Sequence, residues 1–107
     1  MPGKTEDVPL SKGFREELEL LGRHIKMIQF VQEHGPIGII RLSTLLGVPK
    51  HKVRYSLRIL EKEGFILPST AGASATEKCT KLFASLEAIL KDVREEIEGL
   101  LGTLKKG

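Results

Sequence analysis

Six side chains within nine residues, Lys50, His51, Lys52, Arg54, Tyr55 and Arg58, form the densest run of chemistry-bearing groups in this chain. Lysine and arginine carry fixed positive charge, and the planar guanidinium matches phosphate oxygens and base edges. This is chemistry for holding a polyanion, not for moving protons or attacking a carbonyl. Counting charges by segment isolates the cluster. Residues 41–62 hold Arg41, Lys50, Lys52, Arg54, Arg58 and Lys62 against Glu61 alone, a balance of +5, whereas residues 1–40 sum to −1 and residues 77–107 to 0. A run of charge is ordinarily just a solvated face, so this patch acquires meaning only from the elements that position it.

With 107 residues, 40% hydrophobic and 29% charged, the chain suits one compact soluble unit plus an appendage. Residues 1–12 read as a mobile arm. Phe14, Leu18, Leu21, Ile25 and Ile28, followed by Phe30 and Val31, form one apolar stripe and predict a helix over residues 13–34. Gly35-Pro36 should end it, through a left-handed exit and a residue that cannot continue the ladder. Residues 38–46 read as a short second helix facing inward through Ile39, Leu42, Leu45 and Leu46. After Gly47, Pro49 suits the first position of a third helix, which Val53, Leu57 and Leu60 carry to Glu63 before Gly64 stops it.

Phe65-Ile66-Leu67 is a short apolar run followed by small and polar residues, which predicts a stub hairpin over residues 64–76. Ser74 and Glu77 have capping-box spacing, so the last helix should begin near residues 75–77. In it Phe83, Leu86, Leu90, Val93, Ile97, Leu100 and Leu104 alternate spacings of three and four without a fault. Such a seam asks for a partner helix, and Leu82, Ile89 and Leu101 widen it. Gly99 and Gly102 weaken its last turns. The chain thus divides into an arm (1–12), a compact domain (13–76) and a coiled-coil-like helix (77–107). On a helical wheel of residues 49–63, Val53, Ser56, Leu57 and Leu60 share one side. His51, Tyr55, Arg58 and Lys62 lie opposite, with Lys52 and Arg54 on the flanks.

The segment IIRLSTLLGVPKHKVRYSLR, residues 39–58, resembles a helix-turn-helix. Ser43 is the small residue where two steeply crossing helices approach, free to bond back to its preceding turn, and Gly47 tolerates a left-handed connection. Leu42, Leu46, Val53 and Leu57 would lock the pair to the first helix. Followed by EKEGFIL at 61–67, the motif resembles the winged-helix subtype. Residues 14–83 are similar to small prokaryotic, archaeal-type regulators of the ArsR, MarR and PadR kind. The family more often has Ala where Ser43 stands. The resemblance implies a mainly α fold, a winged helix-turn-helix with a three-helix core, a short β-hairpin wing and a long C-terminal dimerisation helix. It further implies a homodimer bound to double-stranded DNA, with His51, Lys52, Arg54 and Tyr55 toward bases and Lys50, Arg58 and Arg41 toward phosphates. The wing departs from the usual pattern, because residues 64–76 contain no Lys or Arg. Lys78 is the nearest substitute.

Other chemistries lack their parts. His24, His34 and His51 have no carboxylates or thiols at ligand spacing, so no metal or other cofactor is expected. His24 reads as a surface or dimer-contact residue. Cys79 is one buried thiol. Gly35-Pro36-Ile37-Gly38 lacks the Lys and hydroxyl of a phosphate loop, and no acid pair or nucleophile set suggests an enzyme. No apolar run spans a bilayer, and MPGKTEDVPL resembles neither signal nor transit peptide, which points to the cytoplasm and no membrane partner. No effector cavity is legible. Besides a sequence-specific regulator, the pattern admits an architectural DNA-coating protein or a winged-helix docking module for other proteins.

Overall fold

The computed structural model describes residues 8–107. The order is α1 (Pro9–His34), α2 (Ile39–Leu46), α3 (Lys50–Lys62), β1 (Ile66–Leu67), β2 (Ser74–Ala75) and α4 (Lys78–Lys106). The fold is therefore mainly helical with one two-stranded antiparallel sheet, in which Ile66 pairs with Ala75 and Leu67 with Ser74. That order is compatible with a winged helix. The described residues divide into two compact units, the first ending at Thr76 and the second spanning Glu77–Gly107.

Within the first unit, α1 packs on α2 and α3, α2 packs on α3, and the hairpin joins α1 and α3. The buried side chains come from each element in turn: Met27, Ile28 and Val31 of α1, Leu42 of α2, Val53, Leu57 and Leu60 of α3, and Ile66 of β1. Removing such side chains from water is the main force holding the helices together. The predicted stripe on α1 is only half used. Its C-terminal part is buried, whereas Phe14 and Leu18 are 57% and 49% exposed.

Several boundaries differ from expectation for identifiable reasons. Helix α1 begins at Pro9, so residues 9–12 are helical rather than part of an arm. Proline suits a helix's first turn, where its missing N–H leaves no bond unmade. The remainder of the predicted arm, residues 1–7, lies outside the described residues. Gly35 leaves α1 extended (φ −66°, ψ 149°), not left-handed. Its lack of a side chain serves a close approach instead, because a Cβ there would sit 2.5 Å from the Val31 carbonyl oxygen. The Ser74–Glu77 capping box does not form: Ser74 is in β2, and Glu77 precedes α4 with no side-chain cap bond. Thr76 takes over the local bonding, its hydroxyl donating to the Gly64 carbonyl at 2.7 Å and its N–H to Phe65 at 3.0 Å.

Between α2 and α3, Gly47 adopts the left-handed conformation (φ 67°) that the helix-turn-helix pattern demands. Ser43 does not bond back to its preceding turn; its hydroxyl donates forward to the Val48 carbonyl at 2.6 Å, bracing the turn from inside. A second brace joins the segment after α1 to the hairpin. Ile37 and Ala73 exchange backbone hydrogen bonds of 3.0 and 2.8 Å in an isolated antiparallel bridge. Gly72 makes this possible, with φ +124° and Ile37 backbone atoms 2.6–2.8 Å from where a Cβ would stand.

The second unit is a single helix of 29 residues. It runs through Gly99 and Gly102 to Lys106, so these glycines do not end it. Along its seam Phe83, Leu86 and Val93 are half-buried, while Leu90, Ile97, Leu100 and Leu104 are exposed. Among the described residues, no helix is long and apolar enough to cross a membrane.

The bridge yields a stability prediction. Gly72→Ala combines a strained φ with a backbone clash and should lower unfolding free energy by about 2 kcal/mol or more. Gly38→Ala, with ordinary φ and nothing within 4 Å of the new Cβ, should stay within about 1 kcal/mol of wild type. Equilibrium urea unfolding of the two variants compares them directly, and equal losses would refute the role given to the bridge.

Candidate nucleic-acid interface

Helix α3 presents the cationic cluster because of how its other side is buried. Val53 and Ser56 are fully buried and Leu57 and Leu60 nearly so, which leaves His51, Lys52, Arg54, Tyr55 and Arg58 exposed. Pro49 stands just before the helix in extended conformation (φ −62°, ψ 153°), and Lys50 opens it. Lys50 is exposed at that end. The helix N-terminus adds partial positive charge from its unbonded N–H groups to the same end.

The sequence-selected residues do not all share one site. His51, Lys52, Arg54, Tyr55 and Arg58 line a single open cleft of about 430 Å³. Arg41 lies apart, in a larger and mostly apolar groove of about 860 Å³ between the start of α2, the flank of α3 at Leu57 and Glu61, and the turn at residues 68–73. Lys50 lines neither. The hairpin turn is closed on itself, with Ser69 and Gly72 exchanging backbone bonds of 3.0 and 3.1 Å and the Ser69 hydroxyl donating to Gly72 at 2.8 Å. Those hydroxyl and amide groups are thus partly committed to the turn.

Arg23 of α1 is the residue that sequence reasoning missed. It lines the same cleft as the α3 cations. Its Nε–H donates to the Ser56 hydroxyl at 2.9 Å, from one helix to the buried side of another. A signal was available: Ser56 is a polar residue on the apolar side of the α3 wheel, and a buried hydroxyl asks for a hydrogen-bonding partner. Nothing in the spacing identified Arg23 as that partner.

Beside it, His24 is more buried than a surface histidine. Its Nε2 is shielded from solvent and has no hydrogen-bond partner among the described residues. Burial, seconded by the Arg23 charge, holds its pKa below the ordinary 6.5, and the carboxylates of Glu63 and Glu17 oppose this more weakly. Among the described residues, no group of three or more His, Cys, Asp or Glu side chains is placed to hold a metal ion. Cys79 is buried, as read from the sequence.

No family model matches the chain. Over 76 residues, 71% of its length, the chain is 28% identical to the central glycolytic genes regulator of Bacillus subtilis (strain 168). That stretch is 22% of the relative, so the chain spans about a fifth of the regulator it resembles.

His24 makes stability depend on pH with a definite sign. Its folded pKa is lowered, so the unfolded chain takes up a proton first as pH falls through about 6.5, and stability drops from there until the folded value is passed. His24→Leu removes a group whose buried nitrogen has no partner among the described residues, so its stability at pH 7.5 should lie within about 1 kcal/mol of wild type. Between pH 7.5 and 5 it should lose less stability than wild type. Thermal melts across that range measure the difference.

Proposed function

We propose that this chain is a transcription regulator that binds duplex DNA through a winged helix-turn-helix and carries out no catalysis of its own. The observation that carries the reading is the exposed cationic face of α3, framed by the α2–α3 turn at Gly47 and backed by a buried apolar side. Similarity to a bacterial gene regulator over 71% of the chain agrees with it. In this reading α3 enters the major groove, with His51, Lys52, Arg54 and Tyr55 toward base edges and Lys50 and Arg58 on phosphates. Arg41, set in its own groove, touches the backbone at a separate point. In this proposal the chain is a regulator of the ArsR, MarR and PadR kind. The cytoplasm is where such a protein works.

The chain acts as a homodimer in the same proposal. Leu90, Ile97, Leu100 and Leu104 of α4 are each at least 38% exposed, an apolar seam that a second copy of the helix would cover. Two copies of α3 then call for a pseudo-palindromic DNA site. A second reading, a docking module for another protein, draws on the wing, whose residues 64–76 carry no Lys or Arg.

Changing Lys50, Lys52, Arg54 and Arg58 together to Ala should weaken duplex binding at low salt by about a hundredfold or more. It should also reduce the slope of log affinity against log salt by about 2 or more. Fluorescence anisotropy on labelled duplex tests this, and unchanged binding would transfer support to the docking reading. For the dimer, sedimentation equilibrium should give twice the 11.9 kDa chain mass. Leu90→Glu with Ile97→Glu should return it to the monomer, and a monomeric wild type would refute the seam.

A further inference from the structure

We infer that the α1 side of the cleft between α1 and α3 seats a backbone phosphate of the bound duplex and that Arg23, held by Ser56, is its principal ligand, while the α3 side chains farther round keep their place toward base edges. The inference rests on the DNA-binding reading and adds to it a residue from outside the helix-turn-helix. Four fixed cations line this cleft, Arg23, Lys52, Arg54 and Arg58, together with His51 and Tyr55, and no carboxylate is among them. Like charges gathered this way repel one another and are relieved by an anion.

Arg23 is the member whose position the fold controls. Its side chain is half-buried, and its Nε–H is tied to a serine that is itself fully buried. A flexible surface arginine loses rotamer freedom when it grips an anion, whereas one already anchored loses less. The bond to Ser56 uses only Nε. Among the described residues the two terminal nitrogens have no hydrogen-bond partner, which leaves four N–H groups of the fork available. A half-buried cation with no carboxylate partner among the described residues, beside other cations, is not what folding stability alone favours. A tetrahedral phosphodiester oxygen pair supplies both the missing charge and the missing acceptors.

On α3, Lys52 is the flank cation nearest in helical angle to Ser56, and Tyr55 and Arg58 continue around the exposed face. Arg23 therefore extends the basic surface across the flank that α1 covers. A phosphate seated there fixes how α3 is rotated in the groove, a positioning role that carries no sequence preference of its own.

The test uses the full chain with a random-sequence duplex of roughly 30 base pairs, titrated by anisotropy over a series of KCl concentrations. Arg23→Gln should bind about tenfold more weakly at the lowest salt, with a log–log salt slope smaller by about 0.9. Arg23→Lys keeps the charge but loses the same Nε bond to Ser56, so it should retain the wild-type slope. If Arg23→Gln keeps the wild-type slope, or if both variants lose affinity and slope equally, Arg23 is only structural and the inference is overturned. Failure of the wild-type chain to bind duplex at any salt overturns the DNA-binding reading itself, and this inference with it.

Discussion

The backbone bridge between Ile37 and Ala73 is the constraint on which the first unit depends. It is two hydrogen bonds, but it ties the segment leaving α1 to the hairpin that follows α3. Everything between, α2, its turn and α3, is thereby held in a closed loop whose two ends meet. Such a non-local contact requires the backbones to approach more closely than side chains allow. Gly35 and Gly72 supply the space, one in an extended conformation and one at φ +124°. Hydrophobic burial drives the helices together without regard to direction. The bridge adds the direction, since hydrogen bonds form in one register only.

On that scaffold, α3 is divided between two demands. Its inward side is an ordinary apolar core surface with a single polar exception, Ser56. Its outward side is almost entirely basic. The exception connects the two, because the buried hydroxyl draws Arg23 of α1 toward the basic side. Electrostatics therefore enters the candidate interface from two elements, and the rotation of α3 relative to α1 determines whether the charges converge. His24, adjacent to Arg23, records the same crowding: burial and a neighbouring cation keep its imidazole from protonating readily.

Much of this was legible in the sequence, and the reasons are local. Residues 39–58 read as two helices around a turn because Gly47 and the apolar spacing each act within a few residues. The two-stranded sheet followed from a short apolar run between glycine and small residues. What escaped was non-local. The Ser74–Glu77 spacing suggested a cap, but strand pairing with β1 claimed Ser74 first. The α1 stripe looked uniform, because periodicity records a face and not what covers it, so the exposure of Phe14 and Leu18 was invisible. The separation of Arg41 from the α3 cluster and the arrival of Arg23 both depend on how helices cross, which no spacing within one helix encodes.

The hairpin has strands of only two residues, yet it is fastened at both ends, at its root by Thr76 to Gly64 and Phe65 and beside its turn by Ala73 to Ile37. The turn between them, Ser69 to Gly72, closes on itself, and its last residue lies against the Ile37 backbone. Freedom is therefore confined to the exposed side chains of Thr70 and Ala71, ahead of the glycine that the bridge requires. A change of charge at those two positions leaves the Ile37–Ala73 bridge and the α2–α3 frame untouched, whereas a change of length shifts Gly72 out of its place against Ile37. The hairpin's lack of a basic residue is, in that light, a property of two side chains on a backbone that is fixed in length.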